Sequence, residues 1–267
     1  MKKFCLIVNA GNSTTTFATS LGTTIYNKIS IATDSLSAPP LSLWQEVKKF
    51  EVKGPAFIAS VVPRWDAVLA RIIEDLTGES PVFLSGKMDV GISIDYKPPQ
   101  NLGADRIANA VAAHHLFPEQ DAIVVDIGTA VNLDCITKKG HFLGGAIAPG
   151  PRLMMNALKL YTDKLPSVDL TNFSGTALGR DTGSCIRSGV LLGLAGLIEG
   201  LVKRLKHELS RQSLVILTGG GAQLLMDHID EYDTYDPDLT LKGLSIIATR
   251  HTDATTKGVS NISCLKT

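Results

Sequence analysis

The sequence has no excess of charge of either sign. It contains 26 lysines and arginines and 26 aspartates and glutamates among 267 residues, so its formal net charge is zero. Nucleic acids and anionic membranes attract proteins through a basic field, which this chain does not offer as a whole. The composition therefore argues against both partners, although it is compatible with a small local basic site. Charged residues make up 19% and apolar residues 44% of the chain, which is typical of a folded protein.

The sequence also has few cysteines and no long apolar run. The four cysteines are Cys5, Cys135, Cys185 and Cys264. None belongs to a CxxC pair, so we expect free thiols in a reducing compartment rather than a zinc site. The longest apolar stretch, residues 190–202, is interrupted by Glu199 and is shorter than the roughly 20 residues that a membrane-spanning helix needs. With no signal-peptide pattern at the N-terminus, the sequence predicts a soluble, cytoplasmic protein.

Several common catalytic motifs are missing as well. The sequence has no GxxxxGK[ST] phosphate loop, no HExxH, no GxSxG and no convincing GxGxxG. Its six histidines do not lie at metal-ligand spacing. These absences argue against the enzyme classes that the motifs mark.

Short apolar runs alternate with stretches of helical period. Buried strands are predicted over residues 4–8, 56–62, 122–125 and 214–217, and more polar strands over 14–18 and 131–136. Helices are predicted over residues 43–50, 65–76, 106–117 and 184–209. Strands that alternate with helices are typical of an α/β fold.

An internal repeat connects the two halves of the chain. Residues 8–11 align with residues 125–128 at an offset of 117, so that Asn9 and Asp126 each follow a buried strand and precede a glycine. A looser similarity pairs residues 57–61 with 215–219. Duplication of one α/β domain explains both similarities, and chance likeness among apolar strands is the alternative. Duplication places the domains at residues 1–118 and 119–248, followed by a polar tail at 249–267.

The segment 9–16, with sequence NAGNSTTT, is a candidate phosphate-binding turn. Gly11 can adopt a positive φ, and the backbone N–H groups around it can then converge on an anion. The hydroxyl and amide side chains that follow add further donors. An ordinary β-turn with asparagine and glycine is the alternative interpretation.

The segment 101–106, NLGADR, places an acid and a base beside a glycine at a predicted helix start. Asp105 could accept a hydroxyl proton, and Arg106 could bind a carboxylate or phosphate through two hydrogen bonds. In the alternative interpretation Asp105 caps the helix and Arg106 is solvated.

Four further motifs leave the same choice between ligand and structure. Asp126, followed by Gly128 and Thr129, could hold a cation near phosphates, or it could be a turn residue. The glycine-rich segment 144–150 predicts a loop that passes close to a ligand or another backbone, and a plain flexible loop is the alternative. Thr182 either caps the long helix or offers its hydroxyl to a ligand. The three glycines in segment 218–222 permit a flat ligand such as adenine, or tight helix packing.

Taken in order, these motifs resemble the type III pantothenate kinases. The set comprises AGNSTTTFA, Tyr96 seven residues before GADR, DIGTA, GGAIAPG, RDT and TGGGA, and the resemblance covers about residues 4–248. It implies two ribonuclease H-like domains with a cleft between them, as in the acetate and sugar kinase, Hsp70 and actin superfamily. It also implies ATP-dependent phosphorylation of pantothenate to 4′-phosphopantothenate, the first step of coenzyme A synthesis, by a homodimer.

The resemblance assigns roles to particular residues. The residues implied to contact ATP are Asn9, Ala10, Gly11, Asn12, Ser13, Thr14, Thr15, Thr16 and Thr129. The residues implied to line the pantothenate site are Tyr96, Gly103, Ala104, Asp105, Arg106 and Thr182, with Asp105 as the catalytic base. Asp126 is implied to hold a monovalent cation, potassium or ammonium, and Mg²⁺ to accompany ATP.

One position departs from the family pattern. The family begins its first phosphate motif with Asp-x-Gly-Asn, whereas this sequence has Asn9 in place of that aspartate, which is expected to position Mg²⁺. Loss of one charge-assisted contact costs on the order of 1.5–3 kcal/mol, or roughly 10–200-fold in rate or affinity. Two hypotheses follow: an active kinase that tolerates Asn9, and a weakened member that acts as a ligand-binding or regulatory protein. A superfamily kinase or phosphatase with another small substrate is a third.

The long helix carries regularly spaced small residues. Gly189, Gly193, Gly196 and Gly200 permit close approach of another element, either within the core or across a dimer. We expect the core arrangement.

Overall fold

The computed structural model describes residues 4–37, 41–50, 52, 54–171 and 173–263. The helices are α1 (Leu41–Lys48), α2 (Asp66–Thr77), α3 (Ala104–Leu116), α4 (Pro151–Leu160), α5 (Thr182–Glu208) and α6 (Leu239–Ser263). The strands are β1 (Cys5–Ala10), β2 (Thr14–Leu21), β3 (Thr24–Ala32), β4 (Phe57–Ser60), β5 (Val82–Phe83), β6 (Ser93–Ile94), β7 (Ala122–Ile127), β8 (Ala130–Ile136), β9 (His141–Pro149), β10 (Leu214–Thr218) and β11 (Thr234–Tyr235).

The chain divides into two compact units. The first comprises Met1–Leu116 and Asp238–Thr267, and the second comprises Phe117–Pro237. The break near residue 117 lies beside the boundary expected from the sequence. Residues 238–248, which we expected in the second domain, pack with the first unit instead, because they begin the helix α6.

Both units contain the same mixed sheet. In the first unit the strand order is β3-β2-β1-β4-β5, where β1 is antiparallel to β2 and parallel to β4. In the second unit β9-β8-β7-β10-β11 follow in the same order, with β7 antiparallel to β8 and parallel to β10. The aligned strands β1 and β7 therefore hold equivalent places, as do β4 and β10. The repeated arrangement supports duplication over chance likeness.

The helix α6 is anchored to the first unit by buried polar contacts. Thr240 donates a hydrogen bond to the Asn109 side chain of α3 at 2.7 Å, and Ser245 donates to Ser20 of β2 at 2.7 Å. A Cβ at Gly243 would overlap the carbonyl oxygen of Ala108, so the glycine lets the two helices approach closely. The expected polar tail from residue 249 is thus helical as far as Ser263.

The helix α5 buries one side in the core of the second unit. Its buried residues include Ile186, Val190, Leu194, Ile198 and Val202. The helix α5 is long and apolar enough to span a membrane, but core helices of soluble proteins often have the same length and composition. Its capping residue is Asp181, whose side chain accepts from the Ser184 backbone at 2.9 Å, so Thr182 is the first helical residue rather than the cap.

The glycines of α5 lie away from this core. No atom lies within 4 Å of a Cβ built at Gly189, Gly193 or Gly196, and only the Arg204 side chain approaches Gly200. All three of the former positions are exposed. The expected packing of these glycines in the core is therefore wrong, because the apolar stripe that enters the core occupies a different side of the helix.

The glycine-rich segment 144–150 forms most of a strand rather than a loop. It belongs to β9, which pairs with β8 from Ala130 to Ile136. A Cβ at Gly145 would overlap the Leu133 carbonyl oxygen, which explains why a glycine occurs inside this strand. The expected close approach to another backbone is confirmed, while the expected loop conformation is not.

Candidate active site

The predicted phosphate-binding turn joins β1 to β2 in the first unit. Gly11 donates a backbone hydrogen bond to the Thr14 carbonyl at 3.0 Å, which closes the turn. Asn12, Ser13 and Thr14 are exposed there, so their polar groups are accessible to an anion. We call residues 9–16 the phosphate turn.

Strand alternation divides the side chains of the phosphate turn between two faces. Ala10 and Thr15 are buried, whereas Thr16 is partly exposed beside Ser30. The Thr15 hydroxyl lies 3.0 Å from that of Thr33, which donates at 2.6 Å to the Gly11 carbonyl. Of the predicted ATP ligands, Ala10 and Thr15 can therefore offer only backbone atoms. Thr33 holds the turn in place, although no sequence signal connects it to residue 11.

Replacement of Thr33 by valine should loosen the phosphate turn. Valine has no hydroxyl, so the Gly11 carbonyl and the buried Thr15 hydroxyl each lose their hydrogen bond with residue 33. Leaving such groups unpaired lowers the stability of the folded state by about 1–3 kcal/mol. We expect the free energy of unfolding in urea to fall by that amount and the KM for ATP to rise. Thr33→Ser keeps the hydroxyl and should retain most of both, so equal losses in the two variants would contradict this role.

The second predicted motif begins α3 in the first unit. Asp105 accepts a hydrogen bond from the Arg106 backbone at 2.8 Å, and a Cβ at Gly103 would lie 2.7 Å from the same carboxylate oxygen. Arg106 is 6% exposed, so the alternative interpretation as a solvated side chain is wrong. The ring centre of Tyr96 lies 5.4 Å from its guanidinium carbon, within cation–π range. We call Tyr96, Gly103, Ala104, Asp105 and Arg106 the acceptor half-site.

Burial changes the acidity of Asp105. Loss of hydration raises the pKa of its carboxyl group, while the Arg106 backbone N–H and the Arg106 charge act in the opposite direction. A carboxylate with a raised pKa is a stronger base than an exposed aspartate. The acceptor half-site thus combines a base, a buried cation and an aromatic ring.

In the second unit, glycines surround Asp126 at the end of β7. Gly219 has a φ of +91°, and a Cβ there would overlap the Asp126 carboxylate. Gly221 donates to the Ile127 carbonyl at 2.7 Å, which draws the glycine segment 219–221 against the turn after β7. Thr129, in that turn, is exposed. Two of the motifs found in the sequence, the segment with Asp126 and Thr129 and the glycine segment 219–221, thus lie against each other in the second unit.

The donors around Asp126 suit a hard cation. Its carboxylate and the Thr129 hydroxyl of the same turn are oxygen ligands, which hard cations prefer. The Ile127 and Thr129 carbonyls of the turn already accept backbone hydrogen bonds from Gly221 and Gly150. Within the described ranges, no three or more His, Cys, Asp and Glu side chains cluster as metal ligands. A cation at this place would therefore rely on one carboxylate with neutral oxygens.

Thr182 lies at the start of α5 in the second unit. It is exposed and lines a cavity of about 640 Å³ between α4 and α5. The other lining residues are mostly apolar and include Leu153, Leu158, Ile186 and Gly189.

The cysteines show no disulfide among the described residues. Cys135 is buried, Cys185 is exposed and Cys264 lies outside the described residues.

Comparison with known proteins identifies a family that covers most of the chain. The model of a family described as type III pantothenate kinase matches residues 5–204. A type III pantothenate kinase of Desulfatibacillum aliphaticivorans is 40% identical over 202 residues, 76% of this chain and 78% of that protein. Another, of Moorella thermoacetica, is 38% identical over 212 residues, 79% of this chain and 82% of that protein.

Solved structures share the fold at low sequence identity. A Campylobacter jejuni protein described as a candidate Baf family transcriptional activator has a TM-score of 0.60 and 22% identity, covering 93% of this chain and 99% of its own. MreB 5 of Spiroplasma citri has a TM-score of 0.57 and 12% sequence identity, covering 97% of this chain and 99% of its own. The ROK hexokinase of Thermus thermophilus has a TM-score of 0.50 and 14% sequence identity, covering 91% of this chain and 98% of its own. The predicted fold of two ribonuclease H-like domains is confirmed.

Proposed function

We propose, since this chain belongs to the type III pantothenate kinase family, that it uses ATP to phosphorylate pantothenate to 4′-phosphopantothenate, the first step of coenzyme A synthesis. The observation that supports this most strongly in the chain itself is the acceptor half-site. A partly buried carboxylate of raised pKa beside a buried guanidinium fits a substrate that carries both a hydroxyl and a carboxylate.

Asp105 would orient the attacking hydroxyl of pantothenate and accept its proton late in the reaction. Phosphoryl transfer has a loose transition state, so the base need not remove the proton before attack. One Asp105 oxygen is held by the Arg106 backbone, which fixes the carboxylate in place. The Arg106 guanidinium, steadied by the Tyr96 ring, would bind the substrate carboxylate through two hydrogen bonds. Gly103 and Ala104 would line this half-site, and Thr182 would contact pantothenate.

The phosphate turn and the residues around Asp126 would bind the nucleotide. Backbone N–H groups and side chains of residues 9–16 would hold the phosphates through fixed dipoles, and Thr129 would contact ATP. Mg²⁺ bound with the triphosphate supplies neutralisation of the charge that develops on the transferred group. Asp126 would hold a monovalent cation, potassium or ammonium, through the oxygen ligands described above.

Product analysis tests this function directly. The chain is incubated with ATP, Mg²⁺, K⁺ and one acceptor at a time, pantothenate or other small hydroxy acids and sugars, and products are identified by mass spectrometry. We expect a phosphorylated product from pantothenate alone. A product from another acceptor instead would support a different small-molecule kinase. Calorimetric binding of ATP and pantothenate without any product would support a ligand-binding protein.

We further propose that the protein is a cytoplasmic homodimer in which α5 contributes to the interface. The exposed Gly189, Gly193 and Gly196 allow a second helix to approach closely, and apolar Leu153 and Leu197 are exposed on α4 and α5. Exposed apolar surface of this kind is typical of protein interfaces. Neither a nucleic acid nor a membrane is proposed as a partner.

Gly193→Glu should convert the dimer to a monomer. The new carboxylate would lie in the close helix contact, where its desolvation is unfavourable. Light scattering at micromolar concentration should give twice the chain mass for the wild type and one chain mass for the variant. Lys139→Glu also places a glutamate at an exposed position, in the turn between β8 and β9, and should stay dimeric although it changes the net charge by more. A monomeric wild type would refute the dimer, and a dimeric Gly193→Glu would exclude this face.

A further inference from the structure

The acceptor half-site is assembled from the two ends of one short segment. Tyr96 lies in a loop and Arg106 in α3, yet their side chains meet at 5.4 Å. The chain between them makes a single 3₁₀ turn, Pro99–Asn101, followed by the buried Leu102. Where this turn lies therefore decides how Tyr96 stands relative to Asp105.

Gly86 is packed directly against this turn. A Cβ at residue 86 would overlap the Pro99 carbonyl oxygen and lie 2.9 Å from the Pro99 carbonyl carbon and 3.6 Å from the Gln100 nitrogen. Gly86 does not have a positive φ, so alanine would meet no strain from its own backbone angles. The glycine is therefore required by the contact with the turn and not by its local conformation.

The chain on both sides of Gly86 is fixed to other elements of the first unit. Before it, the buried Leu84 donates a backbone hydrogen bond at 2.8 Å to Ile58 of β4. After it, a solvent-exposed ion pair connects the chain to α6, where both carboxylate oxygens of Asp89 accept from Arg250 at 3.0 and 3.2 Å. The same guanidinium lies 3.4 Å from a Cβ built at Gly91, whose φ is +85°. We call residues 84–91 the brace.

We propose that Gly86 is a positioning residue for the phosphate acceptor. Because the brace is tethered at both ends, added volume at residue 86 displaces the Pro99–Asn101 turn and, with it, Tyr96 relative to Asp105. The α6 tether lies beyond residues 5–204, the part of the chain that the family model matches. This inference rests on the proposed function, since it assigns Gly86 to the positioning of that substrate.

Gly86→Ala should impair the use of pantothenate and leave the binding of ATP nearly unchanged. A misplacement of about 1 Å can cost up to 100-fold, so we expect kcat/KM for pantothenate to fall about 10–100-fold. The KM for ATP should change less than about twofold, because neither Gly86 nor the Pro99–Asn101 turn belongs to the phosphate turn. Ser85→Ala, at the exposed neighbouring position, is the matched control and should behave as the wild type.

The outcomes separate positioning from general destabilisation. A folded Gly86→Ala enzyme with unchanged kcat/KM for pantothenate overturns the proposal, and so does an equal loss for both substrates. If Gly86→Ala does not fold, Arg250→Ala decides, with an expected rise of about 2–5-fold in the pantothenate KM. The double variant Asp89→Arg with Arg250→Asp, which exchanges the two charges, should restore the wild-type KM for pantothenate. An unchanged pantothenate KM in Arg250→Ala overturns the proposal. An inactive wild type would instead refute the proposed function, and calorimetry with pantothenate would then compare the same variants.

Discussion

Asp105→Asn is expected to lower kcat for pantothenate phosphorylation by about 10²–10⁴-fold, the usual contribution of a general base. The amide keeps the shape of the side chain and can still accept the hydrogen bond from the Arg106 backbone, so the fold should be preserved. Steady-state kinetics and thermal melting of the same preparation measure both effects. Asp75→Asn, an equal change on the exposed face of α2, serves as the control and should retain full activity.

The pH dependence provides a second measure of the same residue. Asp105 can accept a proton only as the carboxylate, and burial raises its pKa above the value of about 3.9 for an exposed aspartate. The rate should therefore fall as the pH is lowered through this raised pKa, while the enzyme is still folded. A kcat that stays constant down to the range of exposed carboxylates would contradict the role of Asp105 as base.

Asn9→Asp should raise Mg²⁺-dependent turnover by roughly tenfold or more. Asn9 is the second-last residue of β1, where it pairs with Thr16 of β2 and Ala59 of β4, so it lies at the base of the phosphate turn. The equivalent residue of the second unit is Asp126, at the end of β7. The amide keeps an oxygen that can accept a hydrogen bond from water, but it lacks the negative charge that the family places beside the metal.

Titration of Mg²⁺ distinguishes this effect from a general one. The gain from Asn9→Asp should appear mainly at low Mg²⁺ and shrink as the metal saturates the site, whereas the KM for pantothenate should hardly change. Asn12→Asp, which adds the same charge at an exposed position of the turn, should not reproduce the gain. Equal rates for wild type and Asn9→Asp would show that asparagine is a neutral substitution here.

The elements with strong apolar patterns were predictable from the sequence. The runs that became β1, β4, β7 and β10 are short and continuously apolar, because these strands are buried on both faces of their sheets. The helical periods that became α2, α3 and α5 differ from the observed bounds by one or two residues at each end. The repeat at an offset of 117 predicted a duplicated domain, and the two units share one strand order.

Other elements depend on contacts that the sequence does not reveal. The strand β9 contains Gly145 where the β8 backbone comes close, and with its other glycine its pattern resembles a loop. The helix α6 is polar toward its end, and it is held through Gly243 and buried hydroxyl contacts to residues far away in the chain. The burial of Thr15 follows from strand alternation once β2 is placed, yet its partner Thr33 lies on a different segment.

The candidate site was predictable in its motifs and less so in its supports. The structure places Tyr96 beside Arg106, two residues that the resemblance assigns to one site. It also places the glycine segment 219–221 beside Asp126, which the sequence analysis did not predict. Gly86 had no signal in the sequence, because its importance comes from the Pro99 carbonyl that packs on it. Residues that contact a ligand recur as motifs, whereas residues that hold them in place are recognised only from distances.

Pantothenate-dependent release of ADP by the unaltered chain is the most direct test of its activity. The assay uses well-folded protein with millimolar ATP, Mg²⁺ and K⁺, and compares the rate with and without pantothenate. We predict a clear dependence on pantothenate that disappears in Asp105→Asn and increases in Asn9→Asp. No release above background would contradict the conclusion that this chain, with asparagine at position 9, is an active kinase.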